Sequence, residues 1–499
     1  RPGGRRTAGR EQIGAKRWTG FSTAGASLPT GPVAGGYQSG MAVRAPDDGE
    51  LRSLPSAVAL TVASALLWGV AHLVAGRTRA GVALLALQAG LVTITLVALT
   101  ALRLRLLPLA VQPGWLTALI VAMPVIGAIW VAVVVCSYRV VRPADAAGPG
   151  RVLAAAVVTA LCAAIAVPFA HTARLAYVSR DVLVTLFAPD EQGDDPWRGR
   201  SRVSILLIGA DAAKNRPGAR TDSMTVATVD VRTGRTVLFG LPRNLERPPM
   251  PGPARRWFPF GFTGDGTART PGLLNEVHQW AEDHPEVLPD VPDGRRGPTL
   301  LKQTAELILG IPVDHYVMVD MRGFAELIDA IGGVTVTIES DIPYGRQGNV
   351  LRAGRRRLSG TEALWYGRSR SDSNDYVRMA RQKCLLYALA RQADPAAVIK
   401  GFERIAEAAK RHVSTDIPRD MLPALADLAA RMDAAELRTL QFVPPLIDPS
   451  APNWYLIRRK VAEALDDEGD RPRRRSPAGA TPRPSPAPDR PARLAALCG

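Results

Sequence analysis

The sequence predicts two parts: an all-α transmembrane region of three to four helices, then an α/β domain with a mixed central sheet flanked by helices. Three observations carry this. Four apolar runs without Asp, Glu, Lys or Arg lie between residues 54 and 170. From Ser201 the pattern changes to short strand-like runs alternating with helical spacing. Charge collects at the ends: residues 1–40 carry six Lys/Arg and one Glu, and residues 471–499 seven Arg and one Asp. Those nets of +5 and +6 supply 11 of the +16 total. The expected organisation is a basic disordered tail (1–53), transmembrane helices (54–170), a linker (171–200), a folded domain (201–466) and a disordered Pro/Arg-rich tail (467–499). Met41 opens a segment of different composition, so residues 1–40 are set aside from fold reasoning.

The apolar runs are 54–75, 80–102, 115–138 and 152–170, of 22, 23, 24 and 19 residues. A hydrocarbon core of about 30 Å needs roughly 20 helical residues, and backbone in lipid must bond to itself, so each reads as a spanning helix. The first is the weakest, interrupted by Gly69, His72 and Gly76, and is alternatively re-entrant. Loops one and three carry Arg77, Arg79, Arg139, Arg142 and Arg151 against Asp145; loop two carries Arg103 and Arg105. Five arginines against two put loops one and three in the cytoplasm and the chain after Ala170 outside.

In the folded domain, strands are expected at 203–208, 224–230 and 236–241. Residues 299–309 repeat Leu, Ala and Ile at helical spacing. Strands at 315–320 and 334–338 enclose a helix at 324–331, stopped by Gly332-Gly333. Ser359 caps the helix bearing Ala363 and Leu364. A helix at 375–391, helices near 395–411 and 419–434, a strand near 437–443 and a helix near 453–466 complete it.

Composition narrows the function. With 47% apolar and 22% charged residues the chain is not globally disordered, and its net charge points to an anionic partner. Four cysteines do not make a disulfide scaffold, and six histidines without a Cys-x-x-Cys pair argue against zinc. Acid-and-arginine clusters fall at strand ends, where α/β folds place ligands: Asp211 after the first strand, Arg220-Thr221-Asp222 before the second, Pro242-Arg243-Asn244 after the third. Taken singly each Asp is a common turn residue. Together Asp211 and Asp222 suit a hydrated Mg²⁺ that also takes phosphate oxygens. Residues 346–383 hold nine Arg and one Lys against three acids. Arg368 and Arg370 follow one helix; Arg378, Arg381 and Gln382 lie in the first turns of the next. Guanidinium forks match phosphate, and cations at a helix start oppose its dipole, so a ligand is expected to compensate them. Arg355-Arg356-Arg357 reads as a solvated basic surface.

These pieces, in order, resemble the LytR-CpsA-Psr family of cell-wall glycopolymer transferases. The resembling stretch runs from Val203 to about Gln382, with a looser tail to about residue 445. It includes Gly209-Ala210-Asp211, Arg220-Thr221-Asp222-Ser223-Met224, Leu241-Pro242-Arg243-Asn244, Ile331-Gly332-Gly333-Val334, Leu358-Ser359-Gly360-Thr361-Glu362, Arg368-Ser369-Arg370, and Asp375-Tyr376-Val377-Arg378 with Arg381-Gln382. The resemblance implies transfer of a glycopolymer phosphate from a polyprenyl diphosphate carrier to a peptidoglycan hydroxyl, assisted by Mg²⁺. Asp211 and Asp222 match metal-associated acids. Arg220, Arg243, Arg368 and Arg370 match diphosphate-binding arginines, and Arg378, Arg381 and Gln382 line the same site. The carrier lipid would occupy an apolar tunnel between sheet and helices. Asp222 is the candidate base, acting with Arg220 and Arg243.

The expected partners are therefore a polyprenyl diphosphate-linked glycopolymer, a peptidoglycan acceptor and the lipid bilayer. Nucleic acid is not expected, because the arginine clusters lack a stacking platform. The sequence departs from the family at Asn244, where Asp is usual, and at Leu273-Leu274, where a basic residue and Ile usually precede Asn275. A polyprenyl diphosphate hydrolase and a non-catalytic lipid-binding or regulatory membrane protein are the competing functions.

Overall fold

The computed structural model describes residues 54–101, 112–142, 148–189, 195–197, 199–211, 220–264, 272–345, 348–370, 374–392, 395–466 and 490–498. The expected tail 1–53, most of the tail 467–499, and Arg103, Arg105, Asp145 and Arg346 lie outside the described residues.

Among the described residues, three helices are long and apolar enough to cross a membrane. The first apolar run instead folds as α1 (Leu54–Leu66) and α2 (Val70–Val74). The break falls at Gly69, whose φ of 93° suits only glycine at low cost and whose backbone presses against Gly81. Then come α3 (Thr78–Ala101), α4 (Pro113–Val141) and α5 (Pro149–Leu186). The expected linker is thus corrected: α5 continues 16 residues past Ala170. No Pro or Gly interrupts residues 171–186, and Leu175, Val178 and Leu183 keep helical spacing there. At about 1.5 Å per residue, its 38 residues outrun a bilayer core, so its last turns stand clear as a stalk.

The domain follows in the expected order: β1 (Arg202–Asp211), β2 (Arg220–Asp230) and β3 (Thr236–Leu241), then α6 (Arg296–Leu309), β4 (His315–Asp320) and α7 (Met321–Ala330). Three short strands that the sequence pattern does not announce, β6 (Ile342–Tyr344), β7 (Asn349–Leu351) and β8 (Gly354–Leu358), come after β5 (Val334–Ile338). Then follow α8 (Gly360–Arg368), α9 (Asp375–Gln392), α10 (Pro395–His412), β9 (Val413–Thr415), α11 (Leu422–Arg431), β10 (Arg438–Gln441) and α12 (Trp454–Asp466). Asp320 caps α7 through the Gly323 N–H at 2.7 Å, and Ser359 with Glu362 forms a reciprocal capping box on α8.

With β11 (Ala492–Arg493), seven strands form one sheet in the order β11-β10-β3-β2-β1-β4-β9. β1 runs parallel to β4 and β3 to β10; the other neighbours are antiparallel, so the sheet is mixed as expected. Alternation assigns the faces. Leu206, Ile208, Met224, Val226 and Phe239 point into the main core with α6 and the aromatic cluster Phe258, Phe262 and Trp280. The opposite face, bearing Leu207, Thr225 and Val317, looks toward α7, α8 and α9.

Part of the tail reading is corrected. Residues 492–493 form β11, which extends the sheet beside β10, and α13 (Leu494–Cys498) follows. Leu494 is fully buried, and Cys498 forms a disulfide with Cys384 of α9, 114 residues away. An apolar Leu-Ala-Ala-Leu-Cys end within an Arg/Pro-rich stretch is the local reason.

Lys383 of α9 is buried, with its Nζ on the Thr225 hydroxyl, and among the described residues no carboxylate pairs with it. Burial pushes its pKa down to about 7. Between pH 7 and 10.5 the unfolded chain therefore holds a proton the folded chain does not, and stability should rise with pH across that window, by up to about 5 kcal/mol. Lys383→Met should raise the melting temperature at pH 7 and abolish this rise. A thermal-melting series in which the variant keeps the wild-type slope would contradict a buried, neutral Lys383.

Candidate functional site

The site is built where β1 and β2 end. Gly209 pairs with Ser223, but the next β1 residue, Ala210, pairs with Thr221, so Asp222 is the extra residue of a β-bulge. A bulge turns two consecutive side chains toward one side, and both Asp222 and Ser223 line the cavity there. Gly209 keeps the ladder tight at this point: a Cβ on it would lie 3.1 Å from the Ser223 Cβ.

The cavity holds about 300 Å³ between the sheet face and α7–α9. Its inner walls are apolar, from Leu207, Val317, Val319, Phe324, Leu364 and Leu386. Its mouth is charged, from Asp222, Arg243, Arg368, Arg370 and Arg378.

Asp375, the first residue of α9, organises the mouth. Arg378 donates to it twice, Nε to Oδ1 and Nη2 to Oδ2, each at 3.0 Å. Arg243 Nε lies 3.4 Å and Arg370 Nη1 3.7 Å from the same carboxylate. Burial works to raise the Asp375 carboxyl pKa, but Arg378, Arg243 and Arg370 together hold it below the usual carboxylate range. Arg378, its side chain 5% exposed, also donates to the Asp222 carbonyl at 2.8 Å. Arg243 Nη1 donates to Asp222 Oδ1 at 2.6 Å, and Arg368 Nη2 to Asp211 Oδ2 at 3.2 Å. Arg368 and Arg370 are about half exposed, at 45% and 53%, so they are the solvent-accessible pair of the cluster. Four guanidinium groups meet the carboxylates of Asp211, Asp222 and Asp375 here, and Asp320 also lines the cavity, so it is the half-exposed forks of Arg368 and Arg370 rather than a net charge that suit the mouth to an anion.

The structure thus brings together Asp222, Arg243, Arg368, Arg370 and Arg378 at the cavity, with Asp211 joined to them through Arg368 although it is not itself a cavity residue. Gln382 joins them by position: it accepts from Ser223 Oγ at 3.0 Å and donates to the Gly367 carbonyl at 3.1 Å, tying β2 to α8 and α9. Two expected residues stand apart. Arg381 does not line the cavity; it donates to the Ser369 carbonyl at 3.4 Å and lies 5.9 Å from the Tyr366 ring centroid, bracing the turn that carries Arg368 and Arg370. Three residues on from Arg378, a rotation of about 300° around α9, its side chain meets the end of α8 instead. Arg220 is exposed at the start of β2, opposite Asp211 in the ladder, and is not among the cavity residues. Sequence reasoning had sought an external anion to compensate the arginines of α9; Asp375 supplies part of that compensation. An acid in the first turn, three residues before Arg378, was the available signal. Arg355 and Arg356 lie on β8, exposed as expected.

The chain is similar to several known proteins. A sequence profile of the LytR_cpsA_psr family matches residues 187–460, more than half of the chain. The polyisoprenyl-teichoic acid–peptidoglycan teichoic acid transferase TagV of Bacillus subtilis is 28% identical over 315 residues, 56% of this chain and 73% of TagV. A TagU transferase of Halalkalibacterium halodurans is 27% identical over 46% of this chain, which spans 64% of that relative's length. The crystal structure of B. subtilis TagV superposes with a TM-score of 0.39 at 26% identity, covering 53% of this chain and 98% of that one. A structure described as TagT bound to LIIa-WTA gives a TM-score of 0.39 at 19% identity, covering 56% and 94%. Through the profile match over residues 187–460, more than half of its length, the chain belongs to the LytR-CpsA-Psr family.

Proposed function

We propose that the chain is a membrane-anchored phosphotransferase that moves a glycopolymer phosphate from a polyprenyl diphosphate carrier to a peptidoglycan hydroxyl. One observation carries this reading: a single cavity joins an apolar interior to an arginine-lined mouth organised by Asp375. A lipid diphosphate has that polarity. The interior takes the proximal end of the isoprenoid chain, and Arg368, Arg370, Arg378 and Arg243 take the diphosphate oxygens.

Phosphoryl transfer needs positioning and charge neutralisation more than covalent chemistry. The acceptor hydroxyl oxygen bonds to the phosphorus carrying the polymer. The bond from that phosphorus to the bridging oxygen breaks, and its electron pair leaves with polyprenyl phosphate. Asp222, aimed by its bulge, takes the hydroxyl proton. Arg243 holds that carboxylate in place, and the exposed pair Arg368 and Arg370 closes on the phosphates.

Among the described residues no three His, Cys, Asp or Glu side chains cluster as a metal cage. The hard oxygens of Asp211 and Asp222 fit a Mg²⁺ that keeps waters and takes its remaining ligands from phosphate. When bound it would neutralise charge on the transferring phosphoryl group.

Orientation supports the same reading. The C-terminal end of α5 and the N-terminal end of α4 meet the domain together, through Leu116, Leu183 and Leu422. Arg174–Glu403 at 3.0 Å and Lys410–Asp181 at 2.5 Å clamp the stalk to α10. With loops one and three cytoplasmic by their five arginines, three spanning helices would bring the domain out on the opposite, extracytoplasmic side. The Cys384–Cys498 disulfide suits that oxidising side.

Arg368→Ala, Arg370→Ala and Asp222→Ala should each lower transfer by about 10²–10³, with Asp222→Ala also losing Mg²⁺ dependence, while melting stays near wild type. Arg356→Ala should change little. Near-normal release of polyprenyl phosphate and polymer attachment in both Arg368→Ala and Asp222→Ala would remove the site assignment. Release without attachment in the wild type would favour a hydrolase.

The full chain purified in detergent should carry polyprenyl phosphate detectable by mass spectrometry of lipid extracts. The full chain is needed because β11 and Cys498 belong to the fold. Lipid absent from both purified and reconstituted protein would count against the transferase.

A reporter active only outside the membrane, fused after Ala173, should be active. Activity of a cytoplasmic reporter at that position instead would reverse the topology.

A further inference from the structure

We propose that the groove between α5, α7 and α10 holds the headgroup of a bilayer phospholipid that carries both a phosphate and a primary ammonium. The proposal rests on the anchoring of α5 in a bilayer and not on the transferase chemistry.

Two ion pairs set the depth of the groove. Arg174–Glu403 and Asp181–Lys410 each join residues 229 apart, so α5 and α10 run side by side in the same direction and in one register. Arg404 therefore stands level with Leu175. α7 runs the other way. His412 meets Asp320 at its start, and Gly401 packs on the Ala330 carbonyl at its end, where a Cβ would clash. Asp329, beside Ala330, is thus at nearly the same level as Arg404. At about 1.5 Å per residue, Leu175 lies about 7 Å beyond Ala170, where the apolar run of α5 ends. A headgroup layer is about 5–8 Å thick on each side of a bilayer, so the groove opens at headgroup depth. Below it α5 presents apolar surface to acyl chains, with Val167 64% exposed.

The groove has room and an unmet charge pattern. It encloses about 550 Å³ and has seven charged residues on its walls. Five of them satisfy one another: Arg174 pairs with Glu403 at 3.0 Å, and Arg411 with Glu326 at 3.4 Å and Glu407 at 3.6 Å. The other two are Arg404 and Asp329, both exposed. Arg404 meets no carboxylate among the described residues. Asp329 accepts the Gly360 N–H at 2.7 Å and meets no cation among them.

This pattern selects the occupant. Arg404 and Asp329 share one groove without pairing, so a ligand that serves both needs an anionic and a cationic end. A guanidinium fork matches phosphate, and a primary ammonium brings N–H donors to a carboxylate. A phosphoethanolamine headgroup carries the two on a two-carbon link. A quaternary ammonium has no N–H donor, and a headgroup without nitrogen offers nothing to Asp329.

The test titrates the full chain in detergent with dioleoyl phosphatidylethanolamine, phosphatidylcholine and phosphatidylglycerol, and counts retained lipid by native mass spectrometry. The ethanolamine lipid should bind about tenfold more tightly than the other two, and Arg404→Gln and Asp329→Asn should each remove that preference. Asp329→Asn keeps an acceptor for the Gly360 N–H, so it decides alone if Arg404→Gln fails to fold. Arg355→Gln, on the exposed β8, should leave the preference intact. Equal retention of the three lipids, or a preference that survives both substitutions, overturns the site. So does a preference for the glycerol lipid that Asp329→Asn leaves unchanged, which would mark a plain anion site. Free phosphoethanolamine binding as tightly as the lipid would place a soluble ligand there and overturn the bilayer source. The anchoring fails separately, if salt alone releases the chain from membranes without detergent.

Discussion

The carboxylate of Asp375 is the constraint on which the site depends. Arg243, Arg370 and Arg378 come from three different elements, and their like charges would separate without an anion among them. Arg378 is almost fully buried, where an unpaired guanidinium is untenable. Asp375 meets all three, and its place in the first turn of α9 adds the favourable interaction of an acid with the helix dipole. Through Arg378 and the Asp222 carbonyl, the same carboxylate fixes the bulged end of β2. Arg368 and Arg370 remain half in solvent, the two guanidinium groups of the cluster most open to a ligand.

The sheet divides its labour by face. One face is a dry core in which large side chains fill the space against α6. The other leaves a gap, because Gly209 and the small side chains of Ser223 and Thr225 face α7–α9 across it. Asp222 escapes the strict alternation of β2 only because the bulge inserts one residue there. The chemistry of the site is thus a consequence of one irregularity in an otherwise regular ladder. Lys383 shows the cost of a polar group in this layer: it is buried with a hydroxyl for a partner and no counter-charge.

Much of this was legible in the sequence. The strands at 236–241, 315–320 and 334–338 have the observed bounds, since period-two alternation and flanking breakers fix them locally. Arg243, Arg368, Arg370 and Arg378 were legible as a set by charge and position after strands or around helix starts. Three features were not. The bulge at Asp222 depends on pairing with β1, which spacing along one strand does not reveal. The stalk formed by α5 was hidden because residues 171–186 turn amphipathic, and the reading stopped where the apolar run stopped. The pairing of Cys384 with Cys498 joins residues 114 apart, and composition alone labelled the second as tail. That Arg220 and Arg381 lie off the cavity was not legible for the converse reason: motif membership says nothing about which way a side chain turns.

The membrane part bears on function through geometry. A continuous helix is held to α10 by ion pairs, so in the proposed function α5 would set the height of the domain relative to the bilayer. The central claim is that the lipid enters the gap between sheet and helices with its phosphates at the mouth. A structure of the full chain in nanodiscs with polyprenyl diphosphate tests it most directly. The account predicts isoprenoid density along Leu207, Val317 and Phe324, with phosphates on Arg368, Arg370 and Arg378. Lipid bound elsewhere, with that gap empty, would contradict it.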